Sequence, residues 1–322
     1  MGKSKDCLWQ STIARAVSFS GTGVHTGRPA RVTLNPAEAG TGIRFRRIDL
    51  SNGTRSTVVR ADWRNVRSTQ LCTVLGNEDV ITVMMVEHLL AALSGLGIDN
   101  VDVHLNGPEV PILDGSAKSY VEAILDVGIA RLAEHRKYVR VLRPVRVQIG
   151  DTIAEFVPDH DCDFGSTIET KIDFLHPLIG RQSFTFEVGG DAFATQIAAA
   201  RTFGFYAQAQ KLRSQGYGLG ASLDNTVVLD ATRILNVGGL RFADEFVRHK
   251  ALDACGDIAL AGAPILGRFR SSRGGHHLNH AALSCLMSQP ECWELAEWGD
   301  HETTTIGGND QQLVVEDLQI AV

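Results

Sequence analysis

The run His249-Lys250-Ala251-Leu252-Asp253 has the spacing of a metal site. On a helix, side chains four apart leave one face about 5–6 Å apart at Cβ. One helix can thereby offer two ligands to one ion. Asp257 lies a further four residues along the same face, and Phe246, Leu252, Ile258 and Leu260 make the segment largely apolar. Most isolated H-x-x-x-D pairs are surface ion pairs, but charges on a buried face need a strong partner, and a metal serves. A second acid–base pair, Glu87-His88, sits among Val83, Val86, Leu89 and Leu90. A lone histidine there is usually a hydrogen-bonded core residue; the adjacent glutamate raises its functional weight. The pair fits neither zincin motif, because the order is Glu-His and Met84 stands where H-x-x-E-H needs a histidine. A third cluster, Gly274-Gly275-His276-His277-Leu278-Asn279-His280, reads equally as a metal tract or as a polar cap on the next helix. In Arg201-Thr202-Phe203-Gly204-Phe205 a hydroxyl lies between a cation and an aromatic.

Taken together, His88, His249 and Asp253 form a three-ligand set from two distant segments. Three protein ligands leave one zinc position open, which is the catalytic pattern. Glu87 is a ready general base and His276 a possible acid, the kit for metal-assisted hydrolysis of an amide or ester. Gly21 to Gly27 spells G-x-G-x-x-x-G and reads as a turn between strands, not a dinucleotide fingerprint. Neither a P-loop nor a G-x-S-x-G elbow is present.

The elements that must carry these residues alternate in period. Residues 10–60 read as short strands punctuated by glycine, 68–75 as another short run, and 100–105 as a strand. Helical spacing covers 82–93 and 116–125, the second with Ser116 as N-cap and Gly128 as stop. Residues 133–137 are charged without apolar period and mark the expected domain boundary. Beyond it, 138–149, 166–174 and 184–188 read as strands. Helices are expected over 191–200, 206–215, within 241–261 and over 276–287. The expected class is α+β. Two domains of similar architecture, residues 1–134 and 135–298, would each pack a sheet against helices, followed by a loose acidic tail at 299–322.

The 322 residues are 44% apolar and 21% charged, which excludes disorder of the whole chain. A net charge of −6 gives no footprint for nucleic acid. No apolar stretch reaches the roughly 18 residues of a spanning helix, and no secretory segment opens the chain. Six scattered cysteines without a CxxC pair read as reduced thiols in a cytoplasmic protein.

Five motifs occur in one order: V-E-H-L-L-A-A-L at 86–93, P-E-V-P-I-L-D-G-S at 108–116, R-T-F-G-F at 201–205, F-V-R-H-K-x-L-D at 246–253 and G-H-x-L-N at 275–279. With G-V-H-T-G at 23–27, they closely resemble the UDP-3-O-acyl-N-acetylglucosamine deacetylases, zinc enzymes of lipid A biosynthesis. The likeness runs from about residue 11 to 293. It implies one catalytic Zn2+ on His88, His249 and Asp253, with Glu87 activating the attacking water. His276 would be the second acid–base residue, held charged by Asp257. Thr202 would give its hydroxyl to the oxyanion, and Lys250 would meet the polar part of the substrate. Leu71, Cys72 and Phe203 would border a cleft between the domains, and Phe205 and Leu212 would belong to an acyl-chain insertion at about 203–220.

The substrate so implied is UDP-3-O-(3-hydroxyacyl)-N-acetylglucosamine. The enzyme would be a monomer without a membrane span, with at most transient association with a membrane surface. His277 departs from the small residue common in relatives, and residues 206–210 depart too, so no uridine contact is carried over. Two alternatives stay open: an amidohydrolase for another N-acetyl sugar, and a non-catalytic, metal-stabilised acyl-nucleotide binding protein.

Overall fold

The computed structural model describes residues 8–50, 56–159, 165–297 and 313–315. Its first half runs β1 (Trp9–Ile13), β2 (Val17–Thr22), β3 (Pro29–Pro36), β4 (Ile43–Arg47), β5 (Val58–Arg60), β6 (Val66–Ser68), β7 (Val74–Gly76), β8 (Thr82–Met84), α1 (Glu87–Gly95), β9 (Val101–Leu105), α2 (Lys118–Val127) and β10 (Ile129–His135). Its second half runs β11 (Lys137–Val141), β12 (Val145–Ile149), β13 (Thr152–Val157), β14 (Ser166–Asp173), β15 (Arg181–Glu187) and α3 (Gly190–Ala192), which opens into a π-helical turn, Phe193–Ile197. There follow β16 (Phe203–Phe205), α4 (Tyr206–Ser214), β17 (Val227–Leu229), α5 (Glu245–Ile258), β18 (Ile265–Ser272), α6 (His276–Met287), β19 (Trp293–Glu297) and β20 (Leu313–Val315).

The halves repeat one topology. The first sheet has the order β2-β3-β9-β4-β5, and only β9–β4 is parallel. The core of the second has the order β15-β14-β18-β13-β12, and only β14–β18 is parallel. Strand for strand, β2, β3, β4, β5 and β9 correspond to β12, β13, β14, β15 and β18. Helix α1 then corresponds to α5, and α2 to α6. Alternating burial along β3 and β9 turns one sheet face to the core, as a period of two requires. The apolar core is continuous between the halves and includes Leu89 and Leu93 of α1 with Leu252 and Cys255 of α5. The α+β class and the paired architecture expected from sequence are what the fold shows.

Each half carries an insertion at the same topological point, between its fourth core strand and the equivalent helices α1 and α5. In the first half it is the three-stranded sheet β6-β7-β8. In the second it is the parallel pair β16–β17 with α4 between them. The chain crosses from one half to the other at Arg136, since β10 pairs with β1 while β11 pairs with β18 and β19.

Several local expectations are corrected. Residues 82–84 are strand rather than helix, because they pair with β7; Met85, at φ 60°, then turns the chain into α1. The run 68–75 is two strand ends flanking a loop. Residues 138–149 are two strands, broken before Pro144, whose nitrogen cannot donate to a ladder. Helix α2 starts at Lys118, and Ser116 Oγ accepts from the Lys118 N–H from one residue before the cap, Ala117. Gly128 does stop α2, at φ 85°. The charged residues 133–135 belong to β10. Most of the tail lies outside the described residues, but 313–315 pair in parallel with β12.

Candidate active site

Helices α1 and α5 meet where a glycine lets them. A Cβ on Gly256 of α5 would sit 2.0 Å from the carbonyl oxygen of Glu87, the first residue of α1. His249 and Asp253 precede Gly256 by seven and three residues, so they leave α5 on the face that meets α1. The ligand atoms of His88, His249 and Asp253 all lie within 4.8 Å of one another, and all three residues are buried. Asp253 Oδ1 stands 3.6 Å from His88 Nε2 and 3.3 Å from His249 Nε2.

The donor set fits a cation. His249 Nδ1 faces the Ala200 carbonyl at 3.1 Å; a carbonyl only accepts, so Nδ1 carries the proton. Burial, with His88 and Lys250 nearby, pulls His249 down to about 4 against the opposing charge of Asp253, so the ring is neutral near pH 7. Its Nε2 is then a bare lone pair facing a carboxylate oxygen. That oxygen, Asp253 Oδ1, is buried without a hydrogen-bond partner. A cation between two such acceptors satisfies both. Burial would raise the Asp253 carboxyl, but His249, Lys250 and His276 hold it well below the usual range. Lys250 reaches Asp253 Oδ2 at 2.7 Å, a partner its sequence role did not include.

Beside this cluster lies an acid–base set. Glu87 is 1% exposed, and burial raises its pKa. Its Oε2 accepts from the Thr73 N–H at 3.0 Å, and its Oε1 is 3.8 Å from His276 Nε2. His276 Nδ1 donates to Asp257 Oδ2 at 2.9 Å. Burial opposes the charge on His276, but Asp257, Asp253 and Glu87 together raise it to about 9. His276 opens α6 and lines a cleft of about 340 Å3 with Leu71, Gly275 and His277. His277 itself is exposed, 3.4 Å from Thr69 Oγ1.

The other expected residues divide. Phe203 packs on Phe246 with ring centres 5.0 Å apart and stands 6.3 Å from the His249 ring. Thr202 follows Ala200 by two residues and is fixed through its backbone to Gly115 and Val227. Cys72 is fully buried, so its side chain does not open onto the cleft that Leu71 lines. Phe205 packs on Phe174 and His176, and Leu212 is half-buried on α4, a helix without a fully buried residue.

Sequence reasoning missed Thr73, Asn279 and His25. Asn279 Nδ2 donates to Asp257 Oδ2 at 2.9 Å, and its place in G-H-x-L-N was the available signal. His25 is buried with both ring nitrogens unpartnered, edge-on to Tyr217 and within electrostatic reach of His276. Its turn is pinned by Glu109, which accepts from the N–H groups of His25 and Thr26 and the Thr26 hydroxyl.

Comparison with known proteins decides the lineage. The family model for UDP-3-O-acyl N-acetylglycosamine deacetylase matches residues 10–288. The chain belongs to this family. It is 48% identical over 290 residues to proteins named UDP-3-O-acyl-N-acetylglucosamine deacetylase from Brucella ovis and Brucella abortus, and 47% identical to the one from Brucella melitensis. Each alignment covers 90% of this chain and 99% of the relative. The five ordered motifs that suggested the family lie within the matched residues.

Whether His249 and Asp253 hold a metal that Glu87 does not is measurable. His249→Ala and Asp253→Ala are expected to lose bound metal, whereas Glu87→Ala keeps a full equivalent, as read by elemental analysis after gel filtration. Loss of metal from Glu87→Ala would contradict the division.

Proposed function

We propose that this chain removes acetate from the 2-acetamido group of UDP-3-O-(3-hydroxyacyl)-N-acetylglucosamine, with Zn2+ held by His88, His249 and Asp253. The observation that carries the reading is the unpartnered Asp253 Oδ1 facing two imidazoles, with Glu87 and His276 beside it. Family membership and the shared name of the relatives supply the substrate. When bound, the ion acidifies a water and polarises the scissile carbonyl.

The chain's own groups do the rest. Glu87 Oε1, the carboxylate oxygen turned away from Thr73, takes a proton from the attacking water. His276, charged through its bond to Asp257, meets the developing oxyanion and delivers a proton to the leaving amine. Thr202 adds a hydroxyl to the oxyanion, and Lys250 meets the polar part of the substrate while it braces Asp253. Leu71, Cys72 and Phe203 border the cleft; Cys72, being buried, acts there only as backing. The insertion with Phe205 and Leu212 takes the acyl chain, in keeping with an α4 that has no fully buried residue.

The domain division near residue 134 and action as a monomer belong to the same reading. So does a cytoplasmic setting, in keeping with the four buried free cysteines among the described residues. No helix among the described residues is long and apolar enough to cross a membrane; any membrane contact would be at the surface.

Two outcomes follow. Glu87 must be ionised and His276 protonated, so kcat/KM rises as Glu87 loses its proton and falls as His276 loses its own. Burial moves the first limb above the ordinary carboxylate range, and the surrounding carboxylates move the second up towards 9. His276→Gln is expected to remove or displace the alkaline limb; an unchanged limb would move the acid to another residue. The second outcome concerns substrate. Roughly ten buried methylenes at about 0.8 kcal/mol each can position the carbonyl from a distance. UDP-N-acetylglucosamine without the acyl chain is therefore expected to lose several orders of magnitude in kcat/KM, measured as acetate release. Equal turnover of both would contradict the proposed substrate and favour a general sugar deacetylase.

A further inference from the structure

Thr73 lies in the loop between β6 and β7 and is 2% exposed. It belongs to neither helix that carries the site, yet it bonds a carboxylate on each. Its N–H donates to Glu87 Oε2 at 3.0 Å, and its hydroxyl donates to Asp257 Oδ1 at 2.6 Å. Each bond occupies one oxygen and leaves the other directed. Glu87 Oε1 faces His276 Nε2 at 3.8 Å. Asp257 Oδ2 accepts from His276 Nδ1 and from Asn279 Nδ2, both at 2.9 Å. The hydroxyl has one proton, and the short distance gives it to Asp257. His276 Nδ1, 3.4 Å from the hydroxyl, already donates to Asp257. A short O–H···carboxylate bond is charge-assisted and strong for its kind.

We propose that Thr73 is a positioning residue of the reaction: one side chain and one backbone N–H from a third segment set the rotation of both acid–base carboxylates. The inference rests on the reading of Glu87 and His276 as base and acid, and deepens it. Without the hydroxyl, Asp257 Oδ1 loses its donor and the carboxylate is free to turn away from His276. The backbone N–H to Glu87 survives any ordinary substitution, so side-chain variants isolate the Asp257 arm. The same loop carries Leu71, at φ 64°, onto the cleft wall, which ties that wall to the proton-transfer groups. A packing role alone would be met by the methyl group; the geometry uses the hydroxyl.

The test measures kcat, KM and metal content for Thr73→Val, Thr73→Ser, Asp257→Asn and the Thr73→Val/Asp257→Asn pair on the acylated nucleotide sugar. Thr73→Val is expected to keep its metal and to lower kcat about 10–100-fold with KM within about threefold, the scale of a lost bond to a charged group. Thr73→Ser is expected to restore most of kcat. The double variant is expected to be no slower than Asp257→Asn alone, because the two residues act as one unit. Wild-type kcat in Thr73→Val, equal losses in the Val and Ser variants, or additive losses in the double variant would each overturn the proposal. Should Thr73→Val not fold, Thr73→Ala against Thr73→Ser makes the same comparison. Asp257→Asn at wild-type kcat would instead overturn the acid–base reading, and this inference with it.

Discussion

The site depends on one backbone contact. Gly256 in the interior of α5 presses against the carbonyl of Glu87 at the start of α1, where a Cβ would stand 2.0 Å from oxygen and 2.7 Å from carbon. A glycine in a helix interior costs about 1 kcal/mol relative to alanine. Here it permits an approach that no side chain would. The contact occurs between topologically equivalent helices of two repeated halves, so the cluster of His88, His249 and Asp253 draws on both. Asp253 and His249 share the face of Gly256, and Asp257 follows it directly. Setting the two backbones together therefore sets His88 against His249 and Glu87 against His276.

The buried charges explain the rest of the site's construction. An unpaired ion in the core is costly, and each charged group here has a named partner. Lys250 and the two imidazoles surround Asp253, Thr73 and Asn279 brace Asp257, and Thr73 caps one oxygen of Glu87. Asp253 Oδ1 remains, a buried carboxylate oxygen without a hydrogen-bond partner among the described residues. A buried carboxylate oxygen facing two imidazole nitrogens, at 3.6 and 3.3 Å, has the chemistry of a cation ligand. Further out, the buried Arg201–Glu245 pair, 2.8 Å apart, joins the start of α5 to the segment bearing Ala200 and Thr202. It thereby holds the segment whose Ala200 carbonyl orients His249.

Much of this was legible in the residues. His249 and Asp253 declare a helical face by their spacing, and α6 begins and ends where the Gly-Gly turn and the apolar period place it. What stayed hidden depended on neighbours distant in sequence. Val83 fits a helical stripe and a strand equally; its pairing with Leu75 decides. Thr73 has no local signature, since its value lies in two carboxylates 14 and 184 positions away. The repeated topology leaves no repeat in identity, because strand order follows apolar alternation and turn geometry, which many residues satisfy. Cys72 could be placed beside the site from the family resemblance alone, but its burial depends on which way the loop turns at Leu71.

The most direct test of this account is metal titration of the apoprotein carrying Gly256→Ala, with circular dichroism to verify the fold. If the α1–α5 approach assembles the site, the folded variant binds Zn2+ about 10–100-fold more weakly than the parent, the scale on which misplaced supports cost metal affinity. A folded Gly256→Ala protein with the parent's affinity would contradict it.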